Sequence, residues 1–400
     1  MSHETTVAAP LDTATTPDAA SPSEAASPST RSIWILFSYL AVWGYLLYGL
    51  GNATPYLRLD LHLTDFQAGL HASALAFGTL AAGISADHVA RRLGSSWLLD
   101  LAVADLTIAV AMIALAPSLP VSLAGAFLMG LGGSFLAIHI NARIGSGGGS
   151  KARRLLSQVN AISMVTAASA PVALGLAASG LHAWRVALIV PVVAFVVLTV
   201  IRPREPDTRD QVRTPRAKLP GAYWFSWLLL ALGVSIEFSF VFWGSTMVGR
   251  QTGLARADAT ILASLFVGGM FVGRAAIGRG LGAGRSARSI LAAGLVVVLA
   301  GSSLVWVSTL PVLSGIGLFL GGLGTSGMWP VGLSAALQIA PRAQMQAAAR
   351  ASLASGFAVL LAPSALGLAA DIVGVAGAWA IIPGLALAAL AVLAVTPRAD

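Results

Sequence analysis

Ala170-Pro-Val-Ala-Leu-Gly-Leu-Ala-Ala178 and Ala362-Pro-Ser-Ala-Leu-Gly-Leu-Ala-Ala370 are one nine-residue phrase written twice, with eight identities at an offset of 192. Just beyond the first copy stand Ala183-Trp184 and Pro191. Beyond the second stand Ala378-Trp379 and Pro383, at offsets of 195 and 192. Ala- and Leu-rich sequence repeats itself by chance, but a Pro, a Gly, a Trp and a second Pro recurring in order argue for two related halves. Each phrase sits in the fifth apolar run of its half. The two runs would therefore cross a membrane in the same direction, making the repeat parallel, with its axis along the membrane normal.

The composition surrounding the repeat points to lipid. Apolar residues make up 56% of the 400 and charged residues only 10%, with a mean hydropathy of +0.82. A soluble chain carries about 25% charge. The formal charge of +8 raises nucleic-acid binding as a class. That class is set aside, because the basic residues stand in short loops and no run joins them to stacking aromatics. Without cysteine, disulfides, thiolate metal sites and thiol catalysis are excluded.

Spanning about 30 Å of hydrocarbon takes about 20 helical residues. Runs of that kind are expected at Ile33–Leu57, Gln67–Ala86, Ser95–Ala116, Val121–Asn141, Leu156–Ala178 and Trp184–Ile201 in the first half. In the second half they are expected at Tyr223–Val248, Ala259–Gly278, Ser289–Ser308, Val312–Gln338, Gln346–Asp371 and Val375–Val395. The expected fold is an all-α membrane protein of about twelve transmembrane helices, arranged as two six-helix pseudo-repeats. Its organisation would be a disordered Ser/Thr/Pro/Ala tail over residues 1–31, a six-helix bundle over 32–201 and a basic linker over 202–221. A second bundle over 222–396 and a short tail over 397–400 would follow. The tail lacks the basic start and apolar stretch of a cleavable signal. With the N-terminus inside, 20 of the 24 Lys and Arg residues fall on the inner side. The four on the outer side are Arg58, Arg185, Arg250 and Arg256. This bias places both termini in the cytoplasm and the chain in the cytoplasmic membrane.

Between the second and third runs the sequence reads Gly83-Ile-Ser-Ala-Asp87-His-Val-Ala-Arg91-Arg92-Leu-Gly94. With that loop motif, the chain over roughly residues 32–396 resembles the major facilitator superfamily. Gly269-Met-Phe-Val-Gly273-Arg274-Ala-Ala-Ile-Gly278-Arg279 resembles the family's degenerate second copy, without the acid. Two departures stand against the proton-linked drug exporters. The fourth run has Ala126-Phe-Leu-Met-Gly130 where many members carry Arg and Gln, and the fifth has only Ala170-Pro-Val-Ala-Leu-Gly175 of the exporter motif. The resemblance implies a secondary active transporter of a small organic solute, working by alternating access, proton-coupled, as a monomer. Asp87, Arg91 and Arg92 would then form a latch closing the cytoplasmic side, with Arg350 at the start of the eleventh span.

The residues themselves nominate a site. Glu237 lies mid-way along the seventh run, where an ionised acid costs about 2.5–3.5 kcal/mol even on a lenient scale. It should face a central cavity and handle protons or a cationic group. Asp105 in the third span is a second proton-coupling candidate. Asp100, about one turn from the inner end, is expected to pair with Arg143. Asp371 reads as a polar residue ending the eleventh span. Candidates for the substrate pathway are Tyr45, Tyr48 and Asn52 on the first span, His139 and Asn141 on the fourth, Trp243 on the seventh and Trp329 on the tenth. Tyr48 and Asn52, four apart, share a helix face.

Gly145-Ser-Gly-Gly-Gly-Ser-Lys151 lacks the Gly-Lys ending and flanking strand of a phosphate loop. No cofactor is expected, and the six scattered histidines form no metal motif. A non-transporting receptor and an intramembrane lipid-handling enzyme are the other classes such a scaffold allows; the enzyme would need a catalytic cluster that Glu237, Asp105 and His139 do not make.

Overall fold

The structure, a computed structural model, describes residues 30–145, 149–181, 183–202, 218–280, 284–341 and 343–396. The expected tails, and residues 203–217 of the expected linker, lie outside the described residues. So do the side chains of Asp87 and Arg91. Thirteen helices are seen among the described residues, with no strand. The first six are α1 (Thr30–Asp60), α2 (Asp65–Leu93), α3 (Ser95–Ala114), α4 (Leu119–Gly145), α5 (Gly149–Gly180) and α6 (Val186–Ile201). Then come α7 (Tyr223–Thr252), α8 (Arg256–Gly278), α9 (Ala287–Val307), α10 (Pro311–Thr325), α11 (Met328–Ile339), α12 (Gln344–Ala378) and α13 (Ile381–Val395).

Among the described residues, ten segments are long and apolar enough to cross a bilayer, α10 and α11 together counting as one. The sixth and last helices, α6 and α13, are apolar but only 16 and 15 residues long. In hydrocarbon each backbone N–H and C=O must find a partner within the chain, so helices are the available element here. The expected tenth span is broken at Ser326-Gly327. The expected junction between the eleventh and twelfth is a kink at Gly374, whose φ of 76° suits glycine. The second and third helices are separated by Gly94 alone, also at positive φ. The Gly83–Arg92 motif thus lies on the last turns of α2, where a loop was expected.

The face where α1 begins and α13 ends is called the near face, the opposite one the far face. α2 lies against α12 and α5 against α8, with α1 against α7 between these seams. The two seams are pseudo-symmetric, and the repeated phrase builds both. A Cβ at Gly175 would meet the Ala257 carbonyl at 2.6 Å at the start of α8. A Cβ at Gly367, 192 residues on, would meet the Asp65 carbonyl at 2.5 Å at the start of α2. Within each half the same close approach recurs: Gly78 and Gly130 seat α2 on α4, and Gly269 and Gly322 seat α8 on α10.

Gly180 ends α5 at the far face and Gly278 ends α8 at the near face, and nothing lies within 4 Å of where a Cβ would be at either. Single cysteines there should react with an impermeant thiol reagent from opposite sides of sealed vesicles. Reaction of both from one side would contradict the topology.

Candidate functional site

In the middle of the bundle one hydrogen bond joins the first half to the second. The Tyr48 hydroxyl on α1 donates to Glu237 Oε1 on α7 at 2.5 Å, with both residues buried. Helix α7 places the acid there because it is enclosed along most of its length. The phenol suits the position: it gives the buried carboxyl a hydrogen-bond partner at a depth where an unpaired polar group is costly. Asn52, one turn further, donates to the Tyr48 carbonyl at 3.0 Å and leaves its own Oδ1 buried without a partner. The Ser239 hydroxyl on α7 is also buried and unpartnered.

A cation stands near this pair. Arg274 on α8 lies within electrostatic range of Tyr48, and its Nε is buried without a hydrogen bond. It follows Arg256 by 18 residues, about five helical turns, so the two share a face. Arg256 sits over the Tyr56 ring of α1 at 5.7 Å, and Thr260, one turn on, bonds the Tyr56 hydroxyl at 3.1 Å. That face of α8 therefore looks onto α1. Side chains lean toward their helix N-terminus, which for α8 is the far end, so Arg274 leans from its near-face position toward the centre. The sequence places it in the degenerate second motif and among the inner-side basic residues, and gives it no part in the central site.

Other candidates go elsewhere. Tyr45 turns from Tyr48 toward α6, donating to the Ala187 carbonyl at 2.9 Å. Pro191, four residues on and without an N–H, leaves that carbonyl without its helical donor. Trp243 donates to the Pro363 carbonyl at 2.9 Å, tying α7 to α12. Trp329 packs half-buried with Tyr223, Leu230 and Ala336. Asp105 packs on the α4 backbone at Gly132, away from Glu237. His139 is partly buried on α4 and Asn141 is exposed. Asp100 takes Arg202 at 2.8 Å, not Arg143, because the end of α6 meets the start of α3. At the motif, Gly83 and Arg92 are exposed. Arg350 is exposed too, its carbonyl accepting from Trp227 at 2.8 Å. The expected Asp87–Arg91 latch falls on side chains outside the described residues.

The far face carries a cluster that sequence reading missed. Asp65 is paired with Arg58 at 2.7 Å and with Arg250 of the second half at 3.7 Å. Asp371 is not a bystander at a helix end. Its carboxylate reaches across the seam and accepts from the backbone N–H groups of Asp65 and Phe66 at 2.7 and 2.9 Å. An acid at a helix N-terminus satisfies orphan donors and complements the macrodipole. Arg185 pairs with Asp60 at 2.6 Å. All four arginines that broke the inner-side bias are thus engaged at the far face: Arg250 and Arg256 reach the first half, while Arg58 and Arg185 make their pairs within it. Their being exceptions was the signal available in the sequence.

By sequence, the profile described as Major Facilitator Superfamily matches residues 33–283. No curated protein matches. Among solved structures, a mutant of the nucleoside transporter NupG superposes with a TM-score of 0.76 at 15% identity, covering 92% of this chain and 99% of that one. NupG itself gives 0.71 at 16%, covering 90% and 98%. A bacterial homolog of the human lysosomal transporter Spinster, inward-facing and unoccupied, gives 0.69 at 14%, covering 92% and 96%.

If the cross-seam cap helps hold the far face shut, Asp371→Ala should open it more often. Ser245 on α7 is 3% exposed. A single cysteine at that position should then be modified from the far side about fivefold faster or more, for a bond of about 1 kcal/mol lost. An unchanged rate would remove Asp371 from the closure.

Proposed function

The chain belongs to the major facilitator superfamily and is a multi-pass membrane transporter, and from that premise we propose that it moves a small organic solute by proton-coupled alternating access. The observation that carries the proposal is the Tyr48–Glu237 bond, a titratable carboxyl buried at mid-depth where the two halves meet. When Glu237 is ionised, the phenol donates into a charge. When Glu237 is protonated, the charge is gone and the bond falls to the range of a neutral one, about 0.5–1.5 kcal/mol. A proton therefore changes how firmly α1 is held to α7. This is how a coupling ion would bias two orientations of the halves.

The ion pair and the backbone cap that cross the far-face seam support alternating access, since they are contacts that one orientation of the halves would make and the other would break. The proposed placement is the cytoplasmic membrane with the near face inside, following the basic bias. Flux direction and solute identity are matters for assay, since the structural neighbours share only the fold with this chain.

In proteoliposomes, a solute pool showing counterflow with the parent protein should also be accumulated when a pH gradient is imposed. Glu237→Gln should abolish gradient-driven accumulation and keep counterflow. Tyr48→Phe should slow coupled flux about tenfold or more, for the loss of a hydrogen bond to a charged group. Full pH-driven accumulation by Glu237→Gln would remove Glu237 from the coupling step. Product formation without any gradient would favour an enzyme.

A further inference from the structure

The break in the tenth span opens a space whose lining includes neither Tyr48 nor Glu237. On the far side of the break, α10 lies backbone to backbone with α9. A Cβ at Gly301 would meet Gly321 N at 2.5 Å, and one at Gly294 would meet the Gly324 carbonyl at 2.6 Å. At Ser326-Gly327 this contact ends, and α11 sets off from α9 toward the near face. The gap left between α7, α9, α11 and α13 is a cavity of about 820 Å³.

Its walls divide into two chemical zones. The lining includes Leu229, Ile290, Leu291, Val331, Ala335 and Leu393, an apolar surface continuing into the depth of the bundle. At the near-face rim stand Arg285 and Arg288, the only charged residues among the described residues of the lining, which include no acid. Arg288 is fixed in place, donating to the carbonyls of Ala394 and Thr396 at 2.8 and 2.9 Å at the end of α13. Arg285 is exposed and engaged by no other described residue. A cationic rim over an apolar shaft, at the height where a span meets the membrane surface, complements an anionic headgroup with a chain below it. A free phosphate would use the rim and leave the apolar walls in contact with water.

We propose that this cavity binds an anionic phospholipid, its phosphate held at Arg285 and Arg288 and one acyl chain lying between α9 and α11. The site is separate from Glu237 and independent of proton coupling.

The test is a melting-temperature titration of the purified full chain in detergent with phosphatidylglycerol, phosphatidylcholine and glycerol 3-phosphate. Phosphatidylglycerol should raise the melting temperature saturably, and phosphatidylcholine should have little effect. Arg285→Gln removes an exposed side chain that bonds nothing, so the fold should persist while the apparent affinity for phosphatidylglycerol falls about fivefold. Ala335→Phe, which fills the shaft, should reduce the response with both arginines intact. Equal stabilisation by the two lipids, or an unchanged response in both variants, overturns the proposal. A response to glycerol 3-phosphate matching that to phosphatidylglycerol overturns it in favour of a free-phosphate site. Because the readout is melting and not flux, failure here leaves the carrier reading standing, and loss of coupled flux would leave this site standing.

Discussion

In a bilayer an apolar side chain gains little by leaving lipid for protein, so helices are held by how closely their backbones meet and by the polar bonds they share. This constraint organises the molecule. Where α2 lies on α4 and α8 on α10, glycines bring one backbone onto another, and added methyl groups would drive the pairs apart. The cross-half seams use the same device at Gly175 and Gly367. The nine-residue phrase that announces two halves is therefore a packing element: each copy seats its helix on the N-terminus of a helix from the other half.

Polar groups then mark where the packing has another task. Helix α7 encloses an acid at the depth where one is most expensive, and α1 supplies a phenol to meet it. The far-face network differs in kind. It gathers the partly exposed Arg58, the exposed Arg250 and the exposed Asp371 around a buried Asp65, and a bond that reaches water is worth less alone. Several of these modest bonds cross the same seam, so that end closes without becoming permanent. A carrier needs a seam of that strength, since one bonded as tightly as a core would hold the molecule in a single state.

How far this was legible in the sequence depended on the range of each interaction. Hydropathy and the repeat announced membrane helices in two halves, because span length and internal duplication are written locally. Glu237 stood out because an acid among apolar neighbours is anomalous wherever it points. Its partner was less evident: Tyr45 and Tyr48 looked alike on α1, and only the carbonyl freed by Pro191 on α6 draws Tyr45 away. Asp371 was misread since the backbone it caps lies some 300 residues earlier in the chain. Asp100 was given Arg143 on the strength of predicted helix ends, whereas the packing of α6 on α3 delivers Arg202. Arg274 was grouped with the inner-side arginines because charge counting carries no direction. The lean of a side chain toward its helix N-terminus becomes informative only once the neighbouring helix is known. The break at Ser326-Gly327 carries no local signal beyond one more glycine among many.

The central bond and the far-face cluster share their helices, which bears on how a proton at one would be felt at the other. Tyr48 and Arg58 are both on α1, ten residues or about 15 Å apart. Glu237 and Arg250 are both on α7, thirteen residues or about 20 Å apart. The two arginines converge on Asp65, so α1 and α7 are joined in the middle by one bond and at the far end through one carboxylate. Loosening the central bond lets the two helices part, and the far-end geometry is the next thing to strain. On the proposed mechanism these contacts act in series, and linkage then imposes a reciprocal relation. Whatever coupling joins the central bond to the far face acts equally in both directions. A carrier built this way would need no separate sensor for the gradient, because the bond that joins α1 to α7 at mid-depth is the one the proton alters.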